Sequence, residues 1–311
     1  MNINLLKFQI VELVDKHRRI TAVADLLGLK QPTVTYHMKT LEQELGVKLF
    51  EPRMDKIILT EAGKALLHYA SKINALAAEA ERVVGEFGAL ARGTLRIGAS
   101  YVPATYMLPR AMTRFAAHFP GVTVQVAVKP SPIIQQMLMQ HEIDLGVIST
   151  EPLQLPPLAL RTICEDKLVL ICAPGHPLEA YPALTPALIS TANLILHGKD
   201  SSTRQMTDRW LARWGIKPQS HLELDSLEAI KQAVMQGGHA SFISKLAVQS
   251  EVERGLLVAK EIPEFQYARS ICCAYNRDRH TSELLHHFIS YLTPATTDSP
   301  PAPAKEVLER I

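Results

Sequence analysis

Near Gly93 the period of the apolar residues changes, and that change constrains the fold more than any other feature of the chain. Before it, apolar side chains recur three and four apart, the spacing of one helix face. After it, short β-forming runs alternate with helical stretches. A helical first part followed by strand–helix alternation predicts two differently built units. The length of 311 residues agrees, at ~150 residues per domain.

In the first part, Leu5, Phe8, Ile10, Val11, Leu13 and Val14 form one helical stripe. Thr21 can cap a second helix, apolar from Ala22 to Leu27, which Gly28 ends. Leu29–Gln31 make a tight turn, and Pro32 suits the first position of a third helix. That helix carries Val34, Met38, Leu41 and Leu45 on one face and stops at Gly46. Val47–Phe50 and Lys56–Leu59 then read as a two-stranded wing. A helix follows over 61–89. Its Leu66, Ala70, Ile73, Ala77, Ala80, Val84 and Phe87 fall at alternating steps of four and three, the seam of a coiled coil with a second copy.

From Gly93 the expected order is a strand at 94–100, a helix at 104–118, a strand at 122–128, a helix at 131–141 and a strand at 143–148. This βαβαβ pattern implies a parallel sheet with right-handed crossovers. A second set follows: strands at 168–172, 194–196, 222–224 and 240–243, with helices at 202–214 and 226–236. A last strand at 267–275 and a helix at 281–292 complete it. Residues 294–311 hold Pro294, Pro300, Pro301 and Pro303 and read as a flexible tail.

Much chemistry is excluded. No dinucleotide, P-loop, zinc-protease or nucleophile-elbow motif is present, so neither catalytic residues nor a cofactor is expected. The histidines offer no ligand spacing with a third partner, so no metal site is expected. Four cysteines, Cys164, Cys172, Cys272 and Cys273, are too few for a disulfide framework and suit a reduced cytoplasmic protein. No signal peptide and no membrane-spanning run is evident. Lys plus Arg minus Asp plus Glu is 33 − 31 = +2, so any basic surface is local.

Two helices joined by a short turn, then a wing, is a DNA-reading arrangement. The segments Ala22–Thr35, Leu41–Glu51 and Leu59–Gly63, with Ala173–Leu178 and Val234–Gly237 further on, closely resemble the LysR-type transcriptional regulators. The resemblance implies an α/β protein with an N-terminal winged helix-turn-helix (1–60), a long dimerising linker helix (61–90) and a two-lobed effector domain like periplasmic binding proteins (91–293). The lobes would be 91–163 with 268–293, and 164–267. It also implies a cytoplasmic homotetramer, a dimer of dimers that binds double-stranded promoter DNA. A small effector controls it, RNA polymerase is a further partner, and Leu66, Ile73, Ala77 and Val84 serve dimerisation. Three positions depart from the family. Lys30 replaces a small hydroxyl residue before Gln31-Pro32, Pro52 displaces the wing arginine to Arg53, and His239 stands where glycine is usual.

The third helix presents Gln31, Thr33, Thr35, Tyr36 and Lys39 away from its apolar stripe, and Lys30, Pro32 and Arg53 join them as candidate DNA contacts. Glutamine pairs with adenine, threonine meets thymine methyl or phosphate, and lysine meets phosphate or guanine. In open α/β sheets ligands sit beyond strand C-termini. Ser100 with Tyr101, Ser149 with Thr150, and Ser201, Ser202 and Thr203 lie at such places, and two of these clusters start helices, which favours an anion. His197, Lys199 and Arg204 add positive charge nearby. The family's effector residues map best onto Ser100, Ser149, Ser202 and Thr203. Two other readings stand beside this one: a small-molecule-binding protein or enzyme with an appended helical domain, and a helix-turn-helix used only for protein contact.

Overall fold

The computed structural model describes residues 4–54, 56–86, 93–152, 156–218, 221–265, 267–279 and 282–292. The chain divides into two compact units, Met1–Ala89 and Leu90–Ile311. Among the described residues, no helix is long and apolar enough to cross a membrane.

The first unit contains α1 (Leu5–His17), α2 (Ile20–Leu27), α3 (Gln31–Leu45), β1 (Phe50–Arg53), β2 (Lys56–Leu59) and α4 (Glu61–Glu86). One core joins them: Ile10, Val11 and Val14 of α1, Val23 and Ala24 of α2, Val34, Met38 and Leu41 of α3, and Ala70 of α4. Each fully buried aliphatic side chain contributes ~1.5–3 kcal/mol over its exposed state. Gly28 (φ 63°) and Gly46 (φ 68°) close α2 and α3 in the left-handed region, which a Cβ disfavours.

Two local expectations are corrected. Arg19, not Thr21, sits at the N-cap of α2, because Arg18 already turns left-handed (φ 57°) at the end of α1 and the next helix begins at once. The wing strand starts at Phe50 rather than Val47, since the Glu42 carboxylate takes the amides of Leu49 and Phe50 before pairing begins. Lys30 caps α3 without a side-chain hydrogen bond, as loss of a hydroxyl there requires.

The second unit begins with β3 (Gly93–Ala99), α5 (Tyr101–Tyr106), α6 (Leu108–His118), β4 (Val122–Val128), α7 (Ser131–Met139), β5 (Leu145–Thr150) and β6 (Leu158–Glu165). It continues with β7 (Leu168–Cys172), α8 (Pro186–Ser190), β8 (Leu194–His197), α9 (Ser202–Arg213), β9 (His221–Leu224), α10 (Leu227–Met235), β10 (Ala240–Ser244), α11 (Gln249–Glu253) and β11 (Val258–Lys260). β12 (Ser270–Asn276) and α12 (Glu283–Leu292) end it. Two five-stranded sheets result, ordered β4-β3-β5-β12-β6 and β11-β7-β10-β8-β9. The chain passes from the first to the second between β6 and β7 and returns between β11 and β12.

Both sheets are mixed, not purely parallel. β3 runs parallel to β4 and β5, while β12 is antiparallel to β5 and β6. β7 is likewise antiparallel to β10 and β11. β6 and β11 were not foreseen, and β5 lies two residues later than expected. The single helix expected over 104–118 is two, broken at Met107 (φ −120°, ψ −51°). Pro109 has no N–H for the carbonyl four residues back and its ring crowds that turn. The left-handed turn before β10 falls on Gly237 (φ 86°) and Gly238 (φ 75°), so His239 meets no such demand. Residues 294–311, expected as a tail, and Phe87 lie outside the described residues.

Candidate functional site

In the first unit, α3 turns Val34, Met38 and Leu41 into the core and its polar face outward. Lys30, Gln31, Pro32, Tyr36 and Lys39 are exposed, and Thr33 and Thr35 are half-buried. Tyr36 is 65% exposed, so its ring is available to a partner. The Thr35 hydroxyl donates to the Gln31 carbonyl at 3.1 Å, so its proton is engaged and only its lone pairs remain to accept. Arg53 stands exposed on the wing, where Pro52 pairs with Ile57 and Met54 turns left-handed (φ 52°).

Glu42 fastens α3 to the wing. Its carboxylate accepts the Leu49 amide at 2.9 Å, the Phe50 amide at 3.2 Å and Lys48 Nζ at 2.9 Å. Burial works to raise the pKa of this carboxyl, but Lys48 and the two amides outweigh it and hold it below the usual range. Lys7 donates to Glu44 at 2.8 Å and ties α1 to the same helix.

The seam read along α4 splits. Ala70 is fully buried, and Leu66 packs beside it on the unit's own core. Asn74 donates to Glu12 of α1 at 2.8 Å. Ile73 and Ala77 are half-buried, and Val84 is 70% exposed. Leu66 is thus partly covered within its own unit. The open apolar face instead includes Tyr69 and Leu76, which sequence reading missed although they stand one heptad apart beside the chosen stripe.

In the second unit, Ser100 ends β3 and stands at the N-cap of α5, but its hydroxyl does not cap. It accepts the Ser149 amide at 2.9 Å instead. The Ser149 carbonyl accepts from Ser131 at 2.9 Å, while the buried Ser149 hydroxyl has no partner. The Thr150 hydroxyl donates to the Glu151 carbonyl and turns away from this group. Across from them, His197 ends β8 and Ser201 caps α9, leaving Ser202 and Thr203 in the first helical turn. The Thr203 hydroxyl accepts from the Arg269 guanidinium at 2.7 Å.

Ser100, Tyr101, Ser149, His197, Ser202 and Thr203 border one cavity of about 20 Å³ between the two sheets' halves, with Arg269 beside them. That is room for roughly one water. Arg269 was not foreseen. It sits on the return crossover, bound to Asp166 of the outgoing one at 2.6 and 2.8 Å, and Asp166 also accepts from Ser244. Lys199 is exposed and does not border the cavity, and Arg204 pairs with Asp208 and Glu223. Burial, aided by the nearby Arg269 and Arg204 cations and opposed by a hydrogen bond to the Phe242 carbonyl, lowers the His197 pKa to about 4. All four cysteines are free, and burial pushes their thiols up, away from thiolate chemistry.

Comparison with known proteins matches both units. The family described as the LysR substrate binding domain matches residues 88–296, and that described as the bacterial regulatory helix-turn-helix protein, lysR family, matches residues 5–64. The probable RuBisCO transcriptional regulator of Phaeodactylum tricornutum is 31% identical over 293 residues, covering 93% of this chain and 95% of that protein. Full-length CbnR, solved with its target DNA, superposes with a TM-score of 0.64 at 20% identity, covering 93% of this chain and 99% of CbnR. The regulatory domain of Synechocystis PCC6803 CcmR, solved with 2-PG, gives a TM-score of 0.59 at 27% identity, covering 67% of this chain and 99% of that domain.

Proposed function

Because the chain belongs to the LysR family of transcriptional regulators, which are not enzymes, we propose that it reads duplex DNA through α3 and the wing under control of a small anion held in the cleft. The contacts would be Lys30, Gln31, Pro32, Thr33, Thr35, Tyr36 and Lys39 on α3 and Arg53 on the wing. The effector residues would be Ser100, Tyr101, Ser149, His197, Ser202 and Thr203. Thr150 joins them only if the cleft opens, since its hydroxyl is engaged elsewhere.

The observation that carries this reading is the buried, unpartnered hydroxyl of Ser149, a residue that borders the same cavity as Ser202 and Thr203 of the first turn of α9. An unsatisfied buried hydroxyl costs ~1–3 kcal/mol, and a bound oxyanion would satisfy it. Helix N-termini favour negative charge as well. The 2-PG held by the CcmR domain supports an anionic effector.

We keep the division into 1–60, 61–90, 91–293 and 294–311, with two lobes in the third segment. We further propose a cytoplasmic dimer of dimers joined through α4 that touches RNA polymerase when activating. The names of the relatives make a RuBisCO operon promoter the first duplex to try. Fluorescence anisotropy on that duplex, against a scrambled one, tests the DNA role. Tyr36→Ala with Lys39→Ala should weaken binding at least ~10-fold, since a good base contact contributes ~1–3 kcal/mol, with unchanged circular dichroism. Wild-type affinity in that folded variant removes α3 from recognition.

A further inference from the structure

Lys231 follows Ile230 on α10 and, like it, is buried, with 3% of its surface exposed. A buried ammonium is costly unless each of its three protons finds an acceptor. Two acceptors come from its own half of the second unit, the half built on β7 to β11. Glu251 of α11 accepts from Nζ at 2.6 Å, and Glu228, one turn back along α10, stands at 2.9 Å. The third comes from the other half. The Tyr106 hydroxyl, at the end of α5, accepts from Nζ at 3.1 Å, and Nζ lies 5.6 Å from the centre of the same ring. Burial works to lower the Lys231 pKa, but Glu251, Glu228 and Tyr106 outweigh it and raise it, so the group stays a cation.

Two carboxylates already exceed one ammonium in charge. Tyr106 therefore adds an acceptor and a ring face rather than neutrality. Its place matters as well. Both helices start at the small cavity, which Tyr101 and Val102 of α5 and Leu227 of α10 border. Tyr106 and Lys231 come five and four residues later, ~6–8 Å along their helices at about 1.5 Å per residue. Leu227 and Leu246 add apolar contact with the core of the first half. A further link between the halves, Arg209 of α9 to Glu151 after β5, is exposed, where an ion pair contributes little. Parting the halves at Lys231 is different, because it leaves a proton of a buried cation without an acceptor until water reaches it.

We propose that Lys231 and Tyr106 form a latch between the two halves of the second unit, holding α5 against α10 and setting how readily the cavity opens. The latch needs no particular ligand, and it stands whether or not the cavity holds the effector.

Hydrogen exchange of the full chain, followed by mass spectrometry, tests this. The reporters are segments 146–150 and 202–207, which carry the Ser149 amide, given to Ser100 at 2.9 Å, and the Arg204 amide, given to Ser201 at 3.4 Å. Ser100, Ser149 and Ser201 border the cavity, and both reporters lie on elements other than α5 and α10. Tyr106→Phe removes the acceptor and keeps the ring. It should raise exchange in both segments ~5-fold or more, short of the full effect of a hydrogen bond to a charged group because Tyr106 is 38% exposed. Exchange in α12 should stay at the wild-type rate. Lys231→Met should act in the same direction, and adding Tyr106→Phe to it should change nothing further. Unchanged exchange in both segments of Tyr106→Phe overturns the latch. So does a rise that extends equally to α12, which would be general loosening, or a double variant in which the two effects multiply.

Discussion

Glu42 and His197 are both buried titratable groups, and their surroundings push them in ways that can be measured. The Glu42 carboxylate holds two wing amides and Lys48, and these partners favour its charged form. A folded-state pKa below the unfolded one gives stability that is complete above the usual carboxylate range and lost as pH falls through the lower folded value. Glu42→Gln should thus cost about 1.5–3 kcal/mol near pH 7. The gap from wild type should close on acidification, and urea melts across pH would show it. His197 also has a depressed pKa, and because it is a base the depression disfavours its charged form. Between pH 6.5 and about 4 the unfolded chain binds a proton that the folded chain does not. Stability should therefore fall as pH drops through that window, by up to about 3 kcal/mol. The slope should flatten in His197→Phe. A wild-type slope in that variant would mean that the ring is not held neutral.

The helices show what local pattern can and cannot reveal. The inward stripe Val34, Met38, Leu41 of α3 was legible because helical period alone sets it. The α4 seam was legible as a stripe but not as a partner: only tertiary contact with α1 decides that Ala70 and Leu66 are internal while Tyr69 and Leu76 are open. The break between α5 and α6 had a signal in Pro109 that the apolar period hid. Tyr69→Glu with Leu76→Glu should leave the fold intact and shift sedimentation toward smaller species. Leu66→Glu should instead lower the melting temperature of the first unit, because it puts a charge against the core. Normal assembly in the first variant would move the oligomer contact off α4's open face.

At the scale of the molecule, the strand–helix alternation was readable, and the mixed strand directions and the groups that close the cleft were not. Strand–helix alternation placed the end-of-strand hydroxyls at one edge of each sheet, and Ser100, Ser149 and Thr203 do line one cavity. β6 was hidden because the proline-rich approach of 152–157 obscures its start, and its five apolar residues do not alternate with the three polar ones. Arg269 was hidden because its partners are far along the chain: Asp166 is 103 residues away and Thr203 is 66. No local period records such contacts, yet they set the charge and donor character of the site.

The central claim is that one cleft holds an anion and thereby alters how the chain reads DNA. A ligand biases two states only through contacts that differ between them. The direct measurement is fluorescence anisotropy of the full chain on a RuBisCO operon promoter duplex, titrated with 2-PG and with glycerol 3-phosphate. The wild type and Ser149→Ala are compared. The account predicts that at least one anion shifts the wild-type midpoint by ~5-fold or more, a coupling of about 1 kcal/mol. It predicts that Ser149→Ala needs ~10-fold more anion for the same shift while binding the bare duplex normally. An identical anion response in wild type and Ser149→Ala would contradict it.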